Sequence, residues 1–409
     1  MIDLVQSAYQ SARAKMGGEF AEKIKPHAIR HERELQRLRK AANVGNKVAV
    51  RSAQHRVLSS LSSKVTCLVR ALPSDHGLGG VEIMKLAQDM SPYQDCGEPV
   101  LAWMQPKSFG DGERPLCSFG PQRKSLHLLM VDVLGAKFPP ANCDYMVQKR
   151  GGDLLATRAK CVIEGGKHWV FTADLTAFYR SVQHKQLKVL LGLPNEVIGN
   201  SLLIPLSAPI HALSYNSPYT VFDGAVREGL PQGSGASGLV ASMLLGTWLD
   251  HNAPTGHVFL NGDDIMVIAG DKLELKAFEM SLLEYLANHP HGPFQLKHKE
   301  IVHAQTGFDF CKYRFKQDPF NNQVRLTPSN KSYFRAKLKF MKMAKEKPFE
   351  AYQRAEEYIE KWVPAFPLWG ANDLAVEYLR AMADETIQDV KQHGFYAALT
   401  MLKGSKPKC

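Results

Sequence analysis

Between residues 20 and 72 apolar side chains recur every third or fourth position, the spacing of amphipathic helices. Leu35, Leu38, Ala41 and Ala42 share one face among Arg33, Arg37, Arg39 and Lys40, and Val44-Gly45-Asn46 interrupts the run. Val50, Gln54, Val57, Leu58 and Leu61 carry the second helix. Residues 72–99 hold Gly77, Gly79, Gly80, Pro92 and Gly97 and read as a loop-like passage containing a boundary. Residues 100–107 and 114–119 then read as two strands joined by a glycine turn, and 121–134 as a helix entered through Gly120-Pro121.

Trp169, Val170, Phe171 and Ala173 predict a mostly apolar strand that ends at Asp174. Residues 227–237 are a glycine-rich turn feeding the apolar helix 238–248. Val258, Phe259 and Leu260 stop at Asn261-Gly262, and a second apolar run begins at Ile265, which predicts a tight hairpin with Asp263 and Asp264 at its tip. A helix over 271–288 with Asp271 as its cap and a short strand after Gly292 follow. Residues 308–315 alternate aromatic and polar as one strand with a packed face would, and the chain is helical again from 331.

At 409 residues, 44% apolar and 22% charged, the chain has the composition of a globular protein with two or three packed units. Fifty-one basic against 40 acidic residues give a formal charge of +11, which favours a polyanionic partner such as nucleic acid. The seven cysteines, Cys67, Cys96, Cys117, Cys143, Cys161, Cys311 and Cys409, form no C-x-x-C pair and have no histidines at zinc-finger spacing. A reducing, cytoplasmic setting is expected. The N-terminus lacks a signal pattern, and the longest apolar helix is too short to span a bilayer, so no membrane partner is expected.

Adjacent carboxylates at a turn are by themselves most often a solvated tip. They become a site for paired divalent ions only if a third carboxylate reaches them. Asp174 is that third group, at the carboxyl end of a strand where α/β sheets place chemistry; a helix or turn cap is the alternative. Lys107 and Arg114 sit one on each strand of the first hairpin and either clamp a triphosphate or are surface cations. Gln232 offers a donor and an acceptor beside glycines that admit a ligand closely. Arg123 and Lys124 lie in the first turns of their helix. Residues 331–347 hold seven cations and one acid among aromatic and aliphatic residues, the pattern of a backbone-tracking surface or of a plain solvated face.

Taken in order, D-L-T-A-F-Y-R-S from Asp174, G-L-P-Q-G-S from Gly229, N-G-D-D from Asn261, Lys299, and F-C-K-Y-R-F from Phe310 resemble the motifs of bacterial reverse transcriptases of the group II intron lineage. The resemblance runs over roughly residues 30–345. It implies an α+β right-hand polymerase: a basic helical RNA-binding extension over 1–72, fingers over 73–166, a palm with an antiparallel sheet over 167–316 that includes some fingers elements between 183 and 225, and a helical thumb over 317–409. It further implies Asp174, Asp263, Asp264 and the Leu175 carbonyl as ligands of two Mg²⁺ ions, with Mn²⁺ as a substitute, and Lys299 as proton donor. Lys107, Arg114, Tyr179 and Gln232 would contact the dNTP, Tyr179 as a steric gate against a ribose 2′-hydroxyl. Arg123, Lys124, Gly233, Ser234, Tyr313, Lys331, Arg335 and Lys339 would contact template or primer. Gly262 departs from the family, since G-D-D is the habit of RNA-copying RNA polymerases. With no recognisable endonuclease, integrase or RNase H unit, the nearest resemblance is to compact defence-associated reverse transcriptases that copy a noncoding RNA into cDNA. A maturase-like splicing factor, an RNA-dependent RNA polymerase and an inactive RNA-binding scaffold stay open as alternatives.

Overall fold

The computed structural model describes residues 4–106, 113–214, 219–254, 257–370 and 373–404. It is a mixed α+β chain of two compact units, the first made of Met1–Val147, Leu175–His251 and Ser281–Lys297, the second of Gln148–Asp174, Asn252–Met280 and His298–Cys409.

The first unit opens with the helices Leu4–Met16, Gly18–Val44, Lys47–Ser59 and Leu61–Ala71. The break expected at Val44-Gly45-Asn46 is a helix end and a helix start. Gly45 takes the left-handed conformation (φ 73°), and the Asn46 side chain accepts hydrogen bonds from the Val48 and Ala49 amides. A further break falls at Ser60, between the helices Lys47–Ser59 and Leu61–Ala71. Residues 72–99 are less loop-like than their glycines suggest. Gly80–Asp89 is a helix begun by Glu82 accepting from the Gly79 amide at 2.6 Å, and its Ile83 and Ala87 pack into the helical core.

Strands β1 (Val100–Pro106) and β2 (Glu113–Phe119) pair antiparallel, as expected, and β4 (Ile210–Ser214) joins β1 in parallel. Lys107 lies outside the described residues. The helix Pro121–Lys137 begins with its proline, and Glu98 accepts from the Gln122 and Arg123 amides at 3.0 and 2.9 Å.

In the second unit β3 (Trp169–Leu175), β5 (Val258–Asn261), β6 (Asp264–Ala269) and β7 (Leu296–His303) form a sheet in the order β5-β6-β3-β7. The apolar runs of β3 and β6 are buried, and Phe171 meets Phe278 edge-on at 5.6 Å. The single strand expected over 308–315 is two strands, β8 (Phe308–Phe310) and β9 (Tyr313–Gln317), joined where Cys311 adopts φ 53°. The alternation misleads because that turn keeps Phe308 and Phe315 on one face, stacked at 4.8 Å. β10 (Val324–Pro328) completes this sheet. The helices Asn330–Glu346, Ala351–Trp362 and Asp373–His393 then pack around Phe340, Met341, Leu379 and Ile387. Among the described residues no helix is long and apolar enough to cross a membrane.

Candidate active site

Two groups of sequence-marked residues assemble, one in each unit. In the second unit the hairpin β5–β6 closes through two residues, Gly262 (φ 74°) and Asp263, because Asn261 still pairs with Asp264. Asp264 therefore belongs to the strand rather than the tip. Glycine at the first central position lets the turn follow the sheet twist. Across the sheet, Asp174 is the direct cross-strand partner of Asp264. Directly opposed residues bring their Cβ atoms to roughly 5 Å, so register alone forces two carboxylates together, with Asp263 adjacent in the turn.

The electrostatics record that crowding. Burial, then the charge of Asp263, then that of Asp174 push the Asp264 carboxyl up to about 7, while Lys331 and Arg335 pull it back. Those two cations stand one turn apart on the helix Asn330–Glu346, whose start is held by the Ser329 cap, by Asp309 accepting from the Asn330 amide at 2.9 Å, and by the Ser329 amide donating to the Lys312 carbonyl at 2.8 Å. Lys331, Arg335 and Lys339 all face solvent at four-residue spacing, forming a basic stripe whose first two members act on the Asp264 carboxyl through their charge.

Two other residues of this unit have partners that change their reading. Lys299, on β7, is ion-paired with Glu279 at 2.6 Å. Tyr313 is fully buried and donates its hydroxyl to Asp153 at 2.5 Å, with Lys312 also on that carboxylate at 2.8 Å. The expected nucleic-acid contact is corrected there: the ring is inside the fold, anchoring β9 to the helix Gly151–Glu164.

In the first unit the glycine turn is gripped on two sides. The Leu230 amide donates to the Tyr179 carbonyl at 2.7 Å, and Gly229 (φ 64°) passes so close that a Cβ there would lie 2.1 Å from the same oxygen. Three residues on, the Cys117 amide donates to the Gln232 carbonyl at 2.8 Å, and a Cβ on Gly233 (φ 120°) would meet the Cys117 carbonyl at 2.1 Å. Glycine is thus required by backbone approach at both positions, and Gly233 itself is exposed. Ser234 is buried, its hydroxyl accepting from the Ala236 amide at 3.2 Å at the start of the helix Gly235–Asn252.

The turn links the segment bearing Tyr179 to the strand bearing Arg114. Arg114 is exposed and donates to Gln105 at 3.2 Å; Lys124 is exposed. Arg123 is fully buried, donating to Asp95 at 2.9 Å and to the Glu98 carbonyl at 2.7 Å, so the expected template contact is corrected to an internal tie. Leu175 ends β3 directly after Asp174 and is buried. Sequence reasoning missed the Arg180–Glu228 ion pair and His184, whose Nε2 lies 2.7 Å from the Gly229 carbonyl. Both brace the turn, and only their nearness in sequence to the two motifs hinted at it.

Asp174, Asp263 and Asp264 occupy neighbouring backbone positions at the ends of β3 and β6, and carboxylate oxygens are hard ligands of the kind Mg²⁺ or Mn²⁺ takes. Among the described residues the group whose ligand atoms all lie within 4.8 Å of one another is instead His31, Cys67 and Asp132. Comparison with known proteins adds little. No family model and no curated protein matches the chain. Among solved structures, an apo telomerase from Candida tropicalis truncated from its C-terminal domain matches with a TM-score of 0.37 and 11% identity over 57% of this chain and 56% of that one. Telomerase from Candida albicans in complex with the TWJ fragment of telomeric RNA matches with a TM-score of 0.37 and 9% identity over 76% of this chain and 62% of that one. The chain spans less than two thirds of either. Scores this low define neither fold nor activity.

Proposed function

We propose that this chain is an RNA-directed DNA polymerase that copies a structured noncoding RNA into cDNA by two-metal nucleotidyl transfer, in bacterial defence against phage. The observation that carries the reading is the register that sets Asp174 opposite Asp264 at one end of the two central strands, with Asp263 next to it in the turn and Asp264 pushed up to about 7 by burial and then by the charges of Asp263 and Asp174. A carboxyl whose ionisation is opposed by burial and by two like charges is a candidate functional group. Bound divalent ions would activate a primer hydroxyl and neutralise the departing pyrophosphate. The residues of the chain supply position and charge. Asp174, Asp263, Asp264 and the Leu175 carbonyl hold the ions. Lys331, Arg335 and Lys339 neutralise template or primer phosphates, and Arg114 and Gln232 meet the incoming dNTP. Tyr179 excludes a 2′-hydroxyl, its backbone fixed by the Leu230 amide. Lys299, ion-paired with Glu279, remains the proposed proton donor.

The test is extension of a primed RNA template by the purified chain with Mg²⁺ or Mn²⁺ and either dNTPs or NTPs. DNA synthesis that disappears in Asp263→Asn supports the proposal, and undiminished synthesis in that variant overturns it. Gly262 before the aspartates favours a second reading, an RNA-dependent RNA polymerase, which predicts NTP use instead. In an active enzyme Tyr179→Val should raise ribonucleotide incorporation; unchanged sugar selection removes the gate assignment. A maturase role predicts that the double variant Asp263→Ala, Asp264→Ala keeps full function in cells.

A further inference from the structure

The hairpin formed by β9 and β10 has features that the polymerase reading leaves unexplained. Its tip, residues 318–322, is locked by its own hydrogen bonds. Asp318 accepts from the Phe320 and Asn321 amides at 2.7 and 3.4 Å, and its own amide donates to the Gln323 carbonyl at 2.8 Å. The Asn321 side chain accepts from the Gln323 amide at 2.9 Å, and Asn322 takes φ 59°. At the centre of this fixed turn stands Phe320, 97% exposed. A turn held so firmly has no packing use for an aromatic ring aimed into water.

The strands beneath break a second rule. Lys316 and Arg325 are direct cross-strand partners, both exposed on the same sheet face. Like charges in that register are destabilising. No carboxylate is ion-paired with either among the described residues, although the charge of Arg325 is felt by the Tyr333 hydroxyl. Arg314, next along that face, is by contrast matched by Asp309 at 3.0 Å. Unmatched cations below a preorganised ring are a local cost that a ligand would offset.

We propose that the β9–β10 hairpin is a docking surface for single-stranded nucleic acid, with a base stacked on Phe320 and flanking phosphates on Lys316 and Arg325. A polyanion with π faces is the partner that uses both features at once. The surface lies at the opposite end of β9 from Cys311, whose thiol feels the Asp264 carboxylate. A five-residue strand spans roughly 17 Å, so this is a strand-guiding contact and not part of the carboxylate site. The proposal rests on the polymerase reading only in taking nucleic acid as the partner.

The experiment uses the full chain with Phe320→Trp, compared with the parent for background fluorescence, and titrates single-stranded RNA, single-stranded DNA and heparin. Saturable quenching of the added indole by oligonucleotides, but not by heparin, is expected. Phe320→Ala should weaken oligonucleotide binding by about 5- to 100-fold, and Lys316→Ala and Arg325→Ala should each reduce the slope of log affinity against log salt by about 0.7. Absence of quenching at saturating oligonucleotide, or quenching by heparin alike, overturns the proposal. Phe320 is exposed, so neither variant threatens folding. Quenching retained in a chain that incorporates no nucleotide would reject the polymerase reading and leave the docking surface standing; DNA synthesis without quenching would do the reverse.

Discussion

Asp132 and Asp264 are both partly buried, each acted on by two basic residues, and their carboxyls move in opposite directions. In the first unit, burial pushes Asp132 up. The hydrogen bond with His31 at 3.1 Å and the charge of Arg70 at 2.6 Å overcome that, and the carboxyl ends below its ordinary range. His31 is in turn bonded to Ser63 at 2.8 Å, which donates to Glu34 at 3.3 Å. Although His31, Cys67 and Asp132 have metal-ligand chemistry within 4.8 Å, their shared oxygen is already taken by Arg70, and the cluster reads as a satisfied tie among three helices. In the second unit, burial acts on Asp264 in the same direction, but the next neighbours are carboxylates, and the cations only moderate them. In one network cations outweigh burial, and in the other like charges add to it. That difference separates structure from chemistry better than residue type does.

The contrast predicts opposite responses to mutation. Asp263→Ala or Asp264→Ala should lower nucleotide incorporation by about 1,000-fold or more, at the upper end of what losing one electrostatic stabiliser costs, read by single-turnover primer extension with the fold unchanged by circular dichroism. Asp132→Ala should instead lower unfolding free energy by up to about 3 kcal/mol by stranding the partly buried Arg70, measured by urea denaturation. If the metal-free Asp264→Asn were destabilised as much, the contrast would collapse. Gly229→Ala combines a strained φ with a clash on the Tyr179 carbonyl and should cost about 1–3 kcal/mol from backbone strain alone, with sugar selection relaxed in whatever protein folds.

A smaller effect is the dependence on pH. The folded chain holds the Asp264 proton up to about 7, whereas an unfolded one releases it near 3.8. Between those values the native state binds more protons, so this group's contribution to stability falls as pH rises. The metal-free parent should lose stability relative to Asp264→Asn across that window, and Mg²⁺ or Mn²⁺ should bind more tightly as pH climbs through 7, read as a ligand-induced Tm shift. Asp132 has the opposite sign, its stabilisation being lost only as pH drops below the ordinary carboxylate range. Identical pH profiles for Asp132→Asn and Asp264→Asn would refute the comparison.

Much of this was legible along the chain. The period of apolar residues placed the strand carrying Asp174, the hairpin after Leu260 (with Asp264 expected at its tip but found in its second strand), the helix capped by Asp271 and the helix after Gly120-Pro121, because those signals are local and repeat over several residues. Three errors were local rules overridden by neighbours. Glycines in 72–99 read as loop, yet Ile83 and Ala87 had a core to pack against. The alternation of 308–315 concealed a turn at Cys311, and two anticipated template contacts, Arg123 and Tyr313, are buried. Charge along a sequence does not say which cations find an internal carboxylate.

The sequence by itself determined which residue types were available and their order: three aspartates at strand ends, glycines where backbones must nearly touch, and a cationic helix at four-residue spacing. Only tertiary structure decided that Asp174 faces Asp264 across a register, that the charge of Arg335 acts on Asp264 while Arg123 is buried in an internal tie, and that Phe320 is held out in water. Pairing partners far apart in the chain are chosen by the net free energy of the whole packed unit, which no local window of residues contains.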